Sequence, residues 1–341
     1  MKTPQFVQIY HEDAQAIGEE LIRGLTTPDA QGGAWISPKF LYDALGSRLF
    51  EAITELPEYY PTRTEAQIFS THGAAMATLL PQQATLIDLG AGNCAKAASL
   101  FERLAPVRYV AVDISVDFLR GALTHLQREY PCLDMVGVGM DFSASLDLPP
   151  EAGALEDGPR ILFYPGSSIG NFTPEQALVF LKQVRAACGP VAGSGLLIGV
   201  DLLKDTAELE AAYDDALGVT AAFNRNLLLH INRLVGSDLR VADWAHRAIF
   251  NADQSRIEMH LVARRSLTVR WPGGSQDFAQ GAHIHTENSY KWTLAGFSQL
   301  LREAGFAEAS AWTDAPADTP AGTAGRFAVL WAPTQEPSPC A

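Results

Sequence analysis

Ala84-Thr-Leu-Ile-Asp-Leu-Gly-Ala-Gly-Asn-Cys-Ala-Lys96 is the stretch that decides how this chain is read. Leu86 to Leu89 form a short apolar run suited to a buried strand. The run breaks at Gly90-Ala-Gly92, and a helix-compatible segment follows from about Ala95. A strand that ends in glycines and turns into a helix creates a small-molecule site at its carboxyl end. The glycines let backbone approach a ligand, and the helix N-terminus offers free N–H groups. The pattern is not the G-x-G-x-x-G dinucleotide fingerprint, because Ala95 stands at the third glycine position. It is not a P-loop, because no G-x-x-x-x-G-K-[ST] occurs.

A second apolar strand, Val107-Arg-Tyr-Val-Ala-Val-Asp113, arrives at the right distance and ends in an acid. A carboxylate at that tip can accept hydrogen bonds from both hydroxyls of a ribose. Asp88-Leu-Gly90-Ala-Gly92-Asn resembles motif I of the class I S-adenosylmethionine (SAM) methyltransferases, acidic-x-Gly-x-Gly, and the acid-tipped second strand follows it at the right distance. The expected fold is α/β: a class I SAM-methyltransferase Rossmann-like sheet with an antiparallel last strand, plus a substrate-binding insertion domain.

Bulk properties narrow the partners. A chain of 341 residues suggests one large or two modest domains, and 47% hydrophobic residues suffice for a sizeable core. A net charge of −14 and no long basic run argue against nucleic acid. Cys94, Cys132, Cys188 and Cys340 show no C-x-x-C or zinc spacing and read as reduced thiols. No hydrophobic signal region opens the chain, and no apolar run approaches the ~20 residues that cross a bilayer. A cytoplasmic monomer without membrane contact is expected.

Along the chain, residues 13–26 place Ile17, Leu21, Ile22 and Leu25 at helical spacing, and Pro28 and Gly32-Gly33 break that helix. Helical periodicity resumes from Pro38 to Leu56. In Leu56-Pro-Glu-Tyr-Tyr-Pro-Thr-Arg63 the two tyrosines between prolines exclude a helix interior and predict an extended segment, with a helix from Thr64 to Leu80. Those tyrosines read either as caps on a core or as an aromatic wall over a pocket. Residues 115–129 predict a helix and Asp134 to Met140 a third strand, closing on Asp141-Phe142. That pair reads as an acid and a ring for adenine, or as a helix cap and a core Phe. Residues 143–159 read as a loop. The strand from Arg160 runs into Tyr-Pro-Gly-Ser-Ser-Ile-Gly-Asn171, small residues that again point into a ligand crevice. Thr173-Pro-Glu-Gln176 is a capping box with Pro at the first helical position. Gly195 to Val200 predict a fifth strand ending at Asp201.

The pattern then changes. Lys204 to Leu217 and Thr220 to Val235 predict two helices, the second carrying the poor helix formers Asn224, Asn226 and Asn232. Ser255 to Trp271 alternates like a long strand or hairpin arm, turned by Gly273-Gly274. His283 to Lys291 is polar with few core candidates. Its His283 and His285 read as a solvated polar edge in preference to a metal pair, and no metal is expected. Trp292 to Ala304 predicts a helix stopped by Gly305. Ala307 to Trp312 and Arg326 to Trp331 predict an antiparallel pair completing the sheet, with 313–325 and 333–341 as loop and tail. Residues 60–200 and 292–341 are therefore expected to form a SAM-binding core, and residues 10–59 and 201–291 a substrate-binding domain.

Several runs resemble the histidine-specific N-alpha-methyltransferases of ergothioneine biosynthesis. They are Phe40-Leu-Tyr-Asp-Ala-Leu-Gly-Ser-Arg-Leu-Phe50, Leu56 to Arg63, Phe163 to Asn171, Ala212-Tyr-Asp-Asp215, Gly218 to Asn226, Arg256-Ile-Glu-Met259 and Thr286-Glu-Asn-Ser289. The resemblance covers about residues 10–332. It implies successive transfer of three methyl groups from SAM to the α-amino group of L-histidine, giving hercynine and S-adenosyl-L-homocysteine. By position it implies that Asn171 and Tyr213 hold the substrate's α-amino and α-carboxylate groups, near Gly166 and Ser168, with Tyr42 beside the amine. Tyr59 would contact the imidazole, Glu287 and Ser289 would bind it, and Met259 would line the same end. Gly90, Lys96, Asp113, Asp141, Phe142 and Tyr60 would surround SAM. The family's glycine turn carries Ser or Thr nearer the position of Cys94, a departure that bears on the SAM carboxylate.

Three other readings compete. An N-methyltransferase acting on another amino acid, such as tryptophan, conflicts with Glu287, which would lack a charged partner beside an indole. An NAD-dependent oxidoreductase conflicts with the missing third glycine and the antiparallel end. A non-catalytic SAM-binding protein would need a lost substrate pocket, yet Asn171, Tyr213 and Glu287 are all present.

Overall fold

The computed structural model describes residues 2–9, 14–28, 32–143, 145–152, 158–315 and 325–334. Its strands, in chain order, are β1 (Gln5–Gln8), β2 (Ala34–Trp35), β3 (Thr85–Leu89), β4 (Arg108–Asp113), β5 (Asp134–Gly139), β6 (Arg160–Tyr164) and β7 (Gly195–Asp201). There follow β8 (Trp244–Asn251), β9 (Arg256–Ala263), β10 (Leu267–Trp271), β11 (Gly274–Phe278), β12 (His283–Tyr290), β13 (Ser310–Thr313) and β14 (Phe327–Pro333). The chain divides into two compact units. One comprises Met1–His11, Pro61–Leu203 and Lys291–Ala341; the other comprises Glu12–Tyr60 and Lys204–Tyr290.

The first unit is built on an eight-stranded sheet in the order β1-β5-β4-β3-β6-β7-β14-β13. Strands β1 and β3 to β7 run parallel, whereas β14 pairs antiparallel with both β7 and β13. This is the class I Rossmann-like sheet with its reversed strand. Both faces are covered, so the central strands carry near-continuous apolar sequence. Leu86 belongs to the core that holds Ile68, Phe69, Met76 and Leu123, while its neighbour Ile87 belongs to the one that holds Phe180, Leu181 and Phe297. The edge strand β1 carries no strong sequence signal. It docks because Gly137 on β5 has no side chain: a Cβ there would meet the Phe6 ring at 2.6 Å.

Local signals placed most boundaries. The Thr173 capping box forms, with Gln176 N donating to Thr173 Oγ1 at 3.3 Å and Thr173 N to Gln176 Oε1 at 3.0 Å. Asp43 caps the helix Ala44–Thr54 by accepting from Gly46 N at 2.7 Å, splitting the expected Pro38–Leu56 segment into a short 3-10 turn and a helix. One expectation is corrected at its edge. The helix expected from Thr64 begins at Tyr60, because a proline in the first turn forfeits only an N–H that has no helical partner. The expected loop 143–159 lies partly outside the described residues, as do most of 313–325 and 333–341.

The second unit holds a four-stranded sheet in the order β2-β12-β9-β8, with the hairpin β10–β11 beside it in sequence. Helices Ala14–Thr26, Ala44–Thr54 and Val219–Val235 share a core with it: Leu21, Leu25, Phe223, Leu227, Trp244, Met259 and Ile284. The asparagines of Val219–Val235 are spent on tertiary bonds. Asn226 Nδ2 donates to Asp43 Oδ1 at 2.7 Å, Asn224 Nδ2 to His260 O at 3.2 Å, and Asn232 Nδ2 to Leu239 O at 2.7 Å. The expected arm Ser255–Trp271 is two strands, β9 and β10, and the unassigned residues before it form β8. The reading of His283 and His285 as a solvated polar edge is wrong for His285, which is buried. His283–Tyr290 is strand β12, and every residue from Ile284 to Tyr290 is buried. Several of its polar side chains are paired inside the unit, Thr286 with Met259 O and Ser289 with Tyr213, so a hydropathy reading misses it.

Candidate active site

In the first unit, Gly90, Lys96, Asp113, Asp141 and Phe142 of the predicted cofactor residues stand at or after the carboxyl ends of β3, β4 and β5. Gly90 (φ +75°) and Gly92 (φ +51°) take the left-handed conformations that glycine accepts freely. The Phe142 ring stands over Gly90, 3.6 Å from where a Cβ would lie, and nothing lies within 4 Å of such an atom at Gly92. Asp113 receives Gly92 N at 2.9 Å and Ser115 N at 2.8 Å. Burial raises its carboxyl above the usual range, against those backbone donors. Each oxygen still has a second lone pair for a ribose hydroxyl. Asp141 accepts from Ser143 N at 3.1 Å and so also caps a turn.

Asp88 is 1% exposed, and burial pushes its carboxyl up to about 7, opposed by Tyr109 and reinforced by Asp113. Tyr109 Oη donates to its Oδ2 at 2.8 Å, but Oδ1 is buried with no hydrogen-bond partner. An acid left with an orphaned oxygen beside an open glycine turn fits a cationic, nucleoside-bearing cofactor such as SAM. Cys94, by contrast, is a fully buried thiol raised to about 12 by burial, and is inert.

Lys96 Nζ pairs with Glu65 Oε2 at 2.7 Å, and Glu65 Oε1 accepts from Gly166 N at 2.8 Å. Glu65 is 1% exposed and fits only because a Cβ on Gly199 would lie 2.0 Å from Oε1. It thus ties the turn after β3 to the loop after β6, where Gly166 (φ +75°) precedes the 3-10 turn Ser168–Asn171. Sequence reasoning missed Glu65. The available signal was an acid at i, i+3, i+4 with the core residues Ile68 and Phe69, on the apolar stripe of its helix. A second missed pair is Lys291–Asp201, 2.8 Å apart and at most 1% exposed, where β7 leaves the sheet. Asp201 N also donates to Ser167 Oγ at 2.9 Å.

Of the predicted substrate residues, Tyr42, Tyr59, Tyr213, Met259, Glu287 and Ser289 belong to the second unit, whereas Gly166, Ser168 and Asn171 belong to the first. Tyr213 Oη donates to Ser289 Oγ at 2.7 Å. Tyr213 meets Tyr59 edge-on with centroids 6.2 Å apart, Tyr59 meets Phe50 at 6.1 Å, and Phe50 meets Tyr42 at 5.6 Å. Asp215 anchors the next helix: burial works to raise its carboxyl, but the N–H groups of Thr220, Val219 and Gly218 hold it low. Met259 on β9 lies opposite Glu287 on β12. A bulge between His285 and Glu287 shifts the register. His285 pairs with His260, but Glu287 pairs with Met259 and Ser289 with Ile257. The bulge therefore turns Glu287 and Ser289 to the side of the sheet that carries the core residues Ile257 and Met259. Tyr60, expected at the cofactor, belongs to this unit, and its Oη receives Lys204 Nζ at 2.7 Å. Glu258, His260 and His285 lie on the opposite side. Burial, with repulsion from His285 and His283, pushes His260 down to about 4. Burial works to raise Glu258, but Arg256 and Asn251 hold it at about 2.

The family described as histidine-specific methyltransferase, SAM-dependent, matches residues 17–321. A histidine N-alpha-methyltransferase of Mycolicibacterium smegmatis is 39% identical over 311 residues, covering 89% of this chain and 93% of that protein. One from Mycobacterium tuberculosis is 38% identical over 289 residues, covering 83% and 88%. Ergothioneine biosynthesis protein 1 of Neurospora crassa is 30% identical over 282 residues, covering 80% of this chain and 31% of that longer protein. No described helix is long and apolar enough to cross a membrane. The chain belongs to the SAM-dependent, histidine-specific methyltransferase family.

Proposed function

We propose that this chain transfers three methyl groups in succession from SAM to the α-amino nitrogen of L-histidine, giving hercynine for ergothioneine synthesis and S-adenosyl-L-homocysteine. The observation that carries the substrate is the bulged strand β12, which sets Glu287 and Ser289 beside Met259, with Ser289 bonded to Tyr213. A carboxylate and a hydroxyl match the two nitrogens of an imidazole. An indole offers one donor and no charge, so a buried Glu287 (7% exposed) disfavours tryptophan.

Roles follow from the family's pattern. Glu287 and Ser289 bind the ring, with Tyr59 and Met259 against it. Asn171 and Tyr213 hold the α-amino and α-carboxylate groups, with Gly166 and Ser168 beside them. Tyr42 lies next to the amine. Gly90, Lys96, Asp113, Asp141, Phe142 and Tyr60 hold SAM, which supplies a methyl group on a sulfonium. The chain's own contribution is alignment, which can lower the barrier by up to ~7–11 kcal/mol. The amine must be neutral to attack, so a nearby carboxylate, hydroxyl or water takes its proton. The last product is a trimethylammonium, which tyrosine faces accept. This reading carries with it a cytoplasmic monomer.

Mass spectrometry of L-histidine incubated with SAM and the pure protein tests the proposal. Mono-, di- and trimethylated histidine are expected in sequence. Methylation of tryptophan but not histidine would overturn it.

A further inference from the structure

The side of the second unit's sheet opposite Glu287 and Ser289 carries a cluster that histidine methylation does not use. Glu258 and His260 stand two residues apart on β9, and His285 lies directly across from His260 on β12. All three are buried, at 1%, 5% and 3% exposure. Glu258 Oε2 lies 3.1 Å from His260 Nε2, the two imidazole centroids are 4.5 Å apart, and one ligand atom from each residue falls within 4.8 Å of the others. We propose that Glu258, His260 and His285 form a buried site for a transition-metal dication of the zinc class.

The donor set is the first ground. Two imidazoles and a carboxylate are the ligands that borderline dications such as Zn²⁺ select, whereas magnesium and calcium require oxygen-rich sites. Ligands at bonds of ~2.0–2.2 Å around a tetrahedral ion stand roughly 3.3 Å apart. The Glu258–His260 pair is already at that spacing, and a ligand atom of His285 lies within 4.8 Å of both.

The second ground is orientation. Arg256 Nη2 holds Glu258 Oε1 at 2.6 Å, and Asn251 Nδ2 donates to the same oxygen at 3.0 Å, which aims Oε2 toward His260. His285 Nε2 donates to Glu287 O at 3.1 Å, so the tautomer is set and Nδ1 carries the lone pair. Outer hydrogen bonds of this kind are how proteins aim metal ligands.

The third ground is independent of both. His283 Nε2, whose ring lies 5.0 Å from that of His260, is buried with no hydrogen-bond partner. A cluster built only to hydrogen-bond would not leave an imidazole nitrogen unmatched in the interior. His283 is the nearest candidate for a fourth ligand.

The test uses the full chain with Cys132 and Cys340 replaced by serine, since Cys132 is exposed and would bind metal on its own account. The protein is stripped with chelator and titrated calorimetrically with Zn²⁺, and the bound metal is then counted by elemental analysis. One ion per chain is expected, bound at least about tenfold more weakly by His260→Phe and by His285→Phe. Co²⁺ provides a second reading that needs no variant: a tetrahedral visible band without thiolate charge transfer is expected in the parent protein. Absence of zinc binding, an affinity in either variant equal to the parent's, or a thiolate spectrum would each overturn the site.

Discussion

At the scale of single residues, Asp113 does two jobs. It presents a carboxylate at the tip of β4, and it holds Gly92 N and Ser115 N, which keeps the turn after β3 in shape. Asp113→Ala should weaken SAM binding by ~1.5–3 kcal/mol, the value of a hydrogen-bonded charge, in a chain that still folds. Titration calorimetry checks this, and unchanged affinity would remove Asp113 from the site. Tyr213→Phe keeps the ring against Tyr59 but loses the bond to Ser289. It should lower kcat/KM for histidine by about tenfold with SAM affinity untouched. Wild-type kcat/KM in that variant would end the role assigned to the hydroxyl.

At the scale of elements, β12 matters most. Its bulge changes which side chains face which side: His285 goes to one, Glu287 and Ser289 to the other. Without that shift of one residue, Glu287 would share a side with His285 and lie away from Met259. A site whose polar groups are matched by the substrate rejects analogues that leave them unpaired. Histidine should therefore be preferred over tryptophan by at least ~100-fold in kcat/KM, with partly methylated histidines accepted. Replacing Glu287 by Ala and Met259 by Val should erode that preference toward larger, less polar rings. If the double variant discriminates as well as the parent, the ring is read by other residues. The same strand shows why hydropathy failed. Thr286 Oγ1 donates to Met259 O at 3.0 Å and Ser289 receives Tyr213, so polar residues occupy interior positions at little cost.

At the scale of the whole molecule, the buried Asp88 should leave a mark on stability. Its folded pKa is about 7 against 3.8 for the free side chain. Between those values the folded state holds a proton that the unfolded state has lost, so stability falls as pH rises through this window. The full cost, on the order of 4 kcal/mol, is present only above pH 7. Asp88→Asn removes it. Urea unfolding of the SAM-free protein should show the Asn variant gaining on the wild type from about pH 4 to about pH 7. A gap that stays constant with pH would mean that Asp88 is ionised throughout.

The sequence by itself determined whatever depends on near neighbours. The strand-glycine-helix unit at Asp88–Lys96, the capping box at Thr173 and the helix stop at Gly305 are set by contacts within a few residues. The backbone obeys such signals wherever they sit in a fold. The strands from Thr85 to Asp201 and the antiparallel end were legible in this way, whereas the edge strand Gln5–Gln8 was not. Tertiary structure alone decided which polar groups are buried. Glu65 meets Gly166 across 101 residues of chain, and Tyr213 meets Ser289 across 76. A buried acid or hydroxyl is tolerated only where its partner arrives, and no window of sequence contains both. Before the chain folds, Glu287 and His285 look alike as polar residues of one run. Packing and a single bulge send one to the side of Met259 and the other to the histidine cluster on the opposite side.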